Sequence, residues 1–186
     1  LPALAANGAV FVLGAPLLLR NLDYQAYVGS FVLGLSALAA FGPAGYGVVC
    51  LYFVVGAAVT KLKIKQKAAE GIAEGGGSGK RGVMSVVGSG AAAAAACGVA
   101  LASPALAPAM ALAYAAAFCT KLSDTCASEV GKAYGRTTYL STTLARVPRG
   151  TEGAVSLEGT AAGVAASALM AAVAAGSGLV GGLEGA

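Results

Sequence analysis

In the second half of the chain, one spacing of acid, hydroxyl and glycine occurs twice. Asp124-x3-Ser128-x2-Gly131-x3-Gly135 is followed 28 residues later by Glu152-x3-Ser156-x2-Gly159-x3-Gly163. Around these stand Glu129 and Glu158, the cations Lys121, Lys132, Arg136, Arg146 and Arg149, and the hydroxyls of Ser123, Thr125, Thr137 and Thr151. Carboxylates and hydroxyls are oxygen ligands suited to Mg²⁺, and Lys and Arg neutralise phosphate oxygens. The chemistry this inventory suits is that of phosphates handled with a hard cation. The competing explanation is interhelical salt bridges with solvated loop charges. The concentration of charge in one region favours a site.

Wound as an α-helix from Asp124, residues 121–136 place Lys121, Asp124, Thr125, Ser128, Glu129, Lys132 and Arg136 within an arc of about 140°. Gly131 and Gly135 lie on the same face and leave room for a group to approach the backbone. Pro148 and Gly150 put Thr151 and Glu152 near the start of the next helix, where orphan N–H groups and the dipole favour anions. The polar segments are therefore about 121–136 and 149–163, expected side by side.

The elements that must hold these groups are membrane helices. The 186 residues are 58% hydrophobic and 11% charged, with mean hydropathy +0.78, whereas soluble domains average about 25% charged. Six apolar stretches, roughly 3–19, 24–41, 45–60, 83–102, 105–120 and 153–175, approach the length that crosses hydrocarbon. One integral membrane domain over 1–186 follows. No basic region or A-x-A site precedes the first stretch, so it reads as a helix of the mature protein. With six crossings, segments 20–23, 61–82 and 121–152 share one side and hold nearly all the charges, while Glu184 falls on the other. Their excess of Lys and Arg makes that side the cytoplasmic or organelle-interior one.

Gly42-Pro43-Ala44-Gly45 and the segment 103–108 read as tight turns on the far side. In the basic loop, about 61–82, the first half looks like a helix continuing out of the membrane, and Gly75–Gly79 like a flexible break. Its "GGGSGKR" is not a phosphate-binding P-loop, because Glu74 replaces the first Gly and Arg81 the Ser or Thr after the Lys. The loop reads either as solvated charge near anionic headgroups or as Lys80 and Arg81 holding a phosphate ahead of the helix at Val83. There is no histidine, and Cys50, Cys97, Cys119 and Cys126 show no CxxC spacing. Zinc and haem sites are not expected, and the thiols read as packed and free.

The block "TKLSDTCASEVGKAYGRTTYLSTTLARVPRGTEGAVSLEGTAAG" resembles the plastid phytyl-phosphate kinases of tocopherol (vitamin E) biosynthesis. "AANGAVFVLGAPLLLR", "LYFVVGAAVTKLKIKQKAAEGIAEG" and "GKRGVMSVVGSGAA" are similar to the same family, so the likeness covers about residues 3–175. The resemblance implies a small all-α membrane protein with about six transmembrane helices and a cytidylyltransferase-like polar site at one membrane face. It implies phosphoryl transfer from CTP or another nucleoside triphosphate to phytyl monophosphate, giving phytyl diphosphate, in a chloroplast envelope or thylakoid membrane.

On that basis Asp124, Lys132, Arg149 and Glu152 are expected to be catalytic. Lys80, Arg81, Lys121, Ser128, Arg136, Thr151 and Ser156 are expected to bind phosphates, and Asp124, Glu129 and Glu152 to hold Mg²⁺. The expected partners are the prenyl phosphate, the nucleotide and the bilayer, with self-association left open and no nucleic acid. A phosphate monoester is already anionic near neutral pH, so a site without His loses nothing by lacking a base. Three other readings compete: a cytidylyltransferase making a CDP-lipid, a small transporter whose repeat frames an ion path, and a structural subunit.

Overall fold

A computed structural model describes residues 1–181; Glu184 lies outside the described residues. The helices are α1 (Pro2–Asn21), α2 (Tyr24–Thr60), α3 (Ile64–Ala69), α4 (Val83–Ala102), α5 (Ala107–Tyr134) and α6 (Leu157–Gly176). A two-residue pairing of β1 (Tyr139–Leu140) with β2 (Ala154–Val155) joins α5 to α6. Among the described residues, α1, α2, α4, α5 and α6 are long and apolar enough to cross a membrane. The chain is an all-α integral membrane protein.

The second helix supplies two crossings. Gly42 leaves helical geometry with φ 62° and ψ −156°. Only glycine enters that region without steric cost, and Pro43 then starts a new helical turn where its missing N–H is no loss. Both ends of α2 consequently meet Arg81. The Asp23 backbone N–H, at the start, donates to the Arg81 carbonyl (3.2 Å), while a Cβ on Gly56, near the end, would lie 2.9 Å from the Arg81 guanidinium. A straight 37-residue helix would separate its ends by about 55 Å. Residues 24–41 and 43–60 are therefore antiparallel limbs, each about 27 Å long.

Buried polar groups lock this hairpin to its neighbours. The Asn7 amide donates to the Phe31 carbonyl (3.0 Å) and accepts from the Tyr46 hydroxyl (2.9 Å), and the Tyr114 hydroxyl donates to the Gly45 carbonyl (2.8 Å). In a core made largely of Ala, the rings of Phe41, Tyr114, Phe118 and Tyr52 form a continuous row with centroids 5.0–5.3 Å apart. The central helix is α5, which packs on α6, α4 and α2.

Several local expectations change. The apolar stretch 105–120 and the polar segment beyond it are one helix, ending at Tyr134 rather than 136. No helix continues from the membrane past Thr60. The chain turns through Lys63, which is left-handed at φ 46°, and restarts as α3. The segment 74–77 is a 3-10 turn rather than an open break. Thr151 and Glu152 do not begin a helix, because Gly150 and Gly153 adopt φ 85° and 74° and Ala154–Val155 pair with β1. The helix instead starts after Ser156, whose Oγ accepts from the Gly159 N–H (3.1 Å), with Glu158 in the first turn suiting the dipole.

Gly131 and Gly135 offer no space for a ligand. A Cβ on Gly131 would lie 3.2 Å from Ser156 Oγ, and one on Gly159 would lie 2.4 Å from the Ala127 carbonyl. The repeated glycines form the seam where α5 and α6 approach, the close contact that small residues permit between membrane helices.

Candidate active site

The amphipathic face of α5 forms one wall of a cleft at the charged end of the bundle. Lys121, Asp124, Thr125, Ser128, Glu129 and Lys132 line it, one helical turn after another, opposite Thr60 from α2, Glu74, and Arg81, Ser85 and Ser89 from the start of α4. The cavity is about 230 Å³. The three charged segments meet here: Asp23 bonds to Arg81, the Arg81 guanidinium reaches Thr125 Oγ1 (3.4 Å), and Lys67 pairs with Glu129.

Each charged group has a distinct environment. The side chain of Glu129 is 5% exposed and lies between Lys67, itself 1% exposed, and Lys132 (3.4 Å). Lys67 also donates to the Thr60 carbonyl (2.8 Å). This buried cluster carries one more cation than anion. Asp124 differs: its side chain is 67% exposed and its ion pair is with Lys121 (3.0 Å), one turn earlier. An exposed pair of this kind is worth little, so a ligand can recruit that carboxylate at small cost.

Arg81 is the unusual group. It is 8% exposed, its guanidinium stands over the Tyr52 ring at 5.3 Å, and among the described residues no carboxylate comes within ion-pair distance. Burying a charge is expensive unless it is paired. The cation–π contact recovers only part of that cost.

The other expected site residues stand away from the cleft. Lys80 is exposed, and its backbone N–H bonds to Ser78 Oγ (3.2 Å), so of the Lys80–Arg81 pair only Arg81 turns inward. Arg136 lies beyond the end of α5, exposed, with its backbone N–H donating to Glu158 (3.3 Å). Arg149, Thr151 and Glu152 lie in the loop between β1 and β2. There Arg149 pairs with Glu70, Thr151 donates to the Pro148 carbonyl (2.7 Å), and Glu152 is exposed. Ser156 is buried as the cap of α6.

Sequence reasoning missed Thr60, Lys67, Ser85 and Ser89. Lys67 carried no signal, being one of four lysines at alternate positions from 61 to 67. Ser85 and Ser89, spaced i and i+4 just after Arg81 in an otherwise apolar helix, could have been read as one polar face.

Glu70, outside the spanning helices, is held below the ordinary carboxylate range by hydrogen bonds from Gln66 and Arg149, with the Arg149 and Lys63 charges adding to the effect.

The donors of the cleft fit a Mg²⁺ ion of limited kind. Mg²⁺ is commonly held by one or two carboxylates with substrate phosphates and water completing the shell. Asp124, with the Ser128 and Thr125 hydroxyls on its face, meets that minimum. Glu129 is engaged by two lysines and Glu152 stands outside the cleft. Among the described residues no three His, Cys, Asp or Glu side chains gather closely enough to form an all-protein cage.

A bundle of long apolar helices, one of them reversed at Gly42, with a mixed-charge cleft at its charged end defines a polytopic integral membrane protein. The chain belongs to the family described as Integral membrane protein DUF92, which it matches over residues 7–184. It is 46% identical over 174 residues to Protein VTE6, chloroplastic, of Arabidopsis thaliana, a match covering 92% of this chain and 52% of that protein. It is 49% identical over 181 residues to an uncharacterized membrane protein of Synechocystis, covering 97% of this chain and 70% of that protein. The chain thus spans about half the length of the Arabidopsis relative. No solved structure matches it.

Proposed function

We propose that this chain is a membrane-embedded phosphotransferase. In this reading it moves the terminal phosphoryl group of a nucleoside triphosphate, CTP or another, onto phytyl monophosphate, giving phytyl diphosphate and a nucleoside diphosphate. The observation that carries the reading is Arg81, a buried guanidinium without a carboxylate partner, set where a cleft of lysines, hydroxyls and one accessible carboxylate meets the membrane interior. The resemblance to phytyl-phosphate kinases suggests the substrate class and a role in tocopherol synthesis, and the identity to Protein VTE6, chloroplastic, supports a plastid membrane.

Arg81, with Ser85, Ser89 and Thr125 near it, receives the acceptor phosphate and compensates its charge. Lys121 and Lys132, with Ser128, receive the donor phosphates at the aqueous side of the cleft. An acceptor oxygen attacks the terminal phosphorus as the bond to the bridging oxygen breaks, and the electron pair leaves with the nucleoside diphosphate. The acceptor is already anionic, so no side chain has to remove a proton. What the residues provide is alignment and charge neutralisation between two highly charged groups. Asp124 would hold Mg²⁺, which when bound offsets negative charge on the donor phosphates.

The test is an assay of the protein in lipid vesicles with phytyl monophosphate and each nucleoside triphosphate in turn. Phytyl diphosphate with a nucleoside diphosphate is the expected product pair. Arg81→Lys keeps the charge but loses the planar fork, and should raise the acceptor KM with the donor KM little changed. A CDP-lipid with pyrophosphate would instead identify a cytidylyltransferase. No turnover with any donor would favour a transport or structural role.

A further inference from the structure

A second cavity, of about 200 Å³, lies beside the cleft between α1, the two limbs of α2 and the start of α4. Its walls are apolar, with Leu17, Leu33, Val49 and Phe53 among them, except at one end. At that end Arg81, Ser85 and Ser89 line both cavities. The Tyr52 hydroxyl donates to Ser89 Oγ (2.7 Å) beneath the Arg81 guanidinium, so the junction is a polar ring at the mouth of an apolar chamber. The α1 wall runs from Val10 to Leu22, about 18 Å along the helix axis. At the far end Tyr46, fixed by its hydrogen bond to Asn7, and Gly34 stand in the wall.

A buried cation at the mouth of an apolar chamber is complementary to one kind of ligand, an anionic head on a single hydrocarbon chain. We infer that this chamber holds the tail of a prenyl monophosphate with its phosphate on Arg81, and that its wall at Gly14 sets the chain length accepted. The occupant rests on the proposed function, while the chamber and its shared mouth do not. Gly14 lines the cavity midway along α1, and a Cβ there would meet only the Leu18 side chain at 3.5 Å, an ordinary contact. A larger side chain at 14 therefore grows into the chamber without displacing backbone.

The test uses the protein in nanodiscs with phytyl monophosphate carrying a diazirine at the tail end, photolysed and mapped by mass spectrometry. Cross-links are expected on α1 and α2 near Val10, Gly34 and Tyr46. They should be competed by unlabelled phytyl monophosphate, not by phosphatidic acid, and lost in Arg81→Ala. Gly14→Phe, or Gly14→Leu where Phe prevents insertion, should move the cross-links toward Leu17 and Leu22. Where diphosphate is formed, that variant should also lower the ratio of phytyl to geranyl product about tenfold or more. Cross-links confined to the outer faces of α5 and α6, labelling indifferent to Gly14 and Arg81, or equal competition by phosphatidic acid would overturn the inference. Labelling is read without turnover, so a protein that bound the probe in the chamber yet made no diphosphate would refute the phosphotransferase alone.

Discussion

Two carboxylates five residues apart on α5 face opposite fates, and burial decides which. Asp124 and Glu129 sit on one polar face, yet Asp124 is open to solvent while Glu129 is closed between Lys67 and Lys132. In the proposed reaction Asp124 would hold the metal, whereas Glu129 is engaged by the two lysines. Asp124→Asn preserves size while removing charge, and should lower turnover roughly 10²–10³-fold or more with insertion and thermal stability unchanged. Near-normal activity would reduce Asp124 to a partner of Lys121. Glu129→Ala leaves Lys67 buried without its counterion and should destabilise the protein by about 3–5 kcal/mol, read as a fall in the thermal midpoint in detergent. The pair Lys67→Met with Glu129→Met should recover most of that loss. Recovery in the double variant, absent from either single one, would mark the interaction as structural.

At the scale of elements, the Glu70–Arg149 ion pair ties the end of α3 to the β1–β2 loop, away from the cleft. The carboxyl of Glu70 is depressed in the folded protein, so its contribution is fully present above the ordinary carboxylate value, about 4.3, and is lost as pH falls through the lower folded value. The tie should therefore be independent of pH near neutrality and release only in acid. Limited proteolysis of the loop 141–153 against pH should show cleavage rising below about pH 4, and Glu70→Gln should raise cleavage near neutrality and flatten that rise. A pH-independent cleavage rate in the unaltered protein would remove Glu70 from this role. Arg149 is then a tether for the loop, and Arg149→Lys, which keeps the charge, should alter proteolysis more than any substrate KM. The seam between α5 and α6 explains why the repeated acid-Ser-Gly-Gly spacing misleads as a repeated site. Its glycines serve close helix packing, and its second acid and serine end up in a loop and a helix cap.

For the molecule as a whole, the membrane class, the near-side gathering of charge and the cleft face of α5 were legible in the sequence, because each depends on composition or on a helical period. The Gly42–Pro43 reversal was legible too, since few other residue pairs could make it. Lys67 was not, because its burial depends on Lys63 adopting a left-handed turn that no local residue demands. Arg136 left the polar face because α5 stops at Tyr134, and Glu152 because two left-handed glycines turn its segment into a hairpin. The two cavities meeting at Arg81 depend on four helices distant in sequence, which no window of residues reveals. The central claim is that the cleft passes a donor's terminal phosphoryl group to a lipid monophosphate seated on Arg81. It is tested most directly by supplying the purified protein with phytyl monophosphate and CTP labelled at either its α or its γ phosphorus. The account predicts γ-label in the lipid product, none from the α position, and loss of transfer in Asp124→Asn. Recovery of α-label in the lipid, with pyrophosphate released, would contradict it.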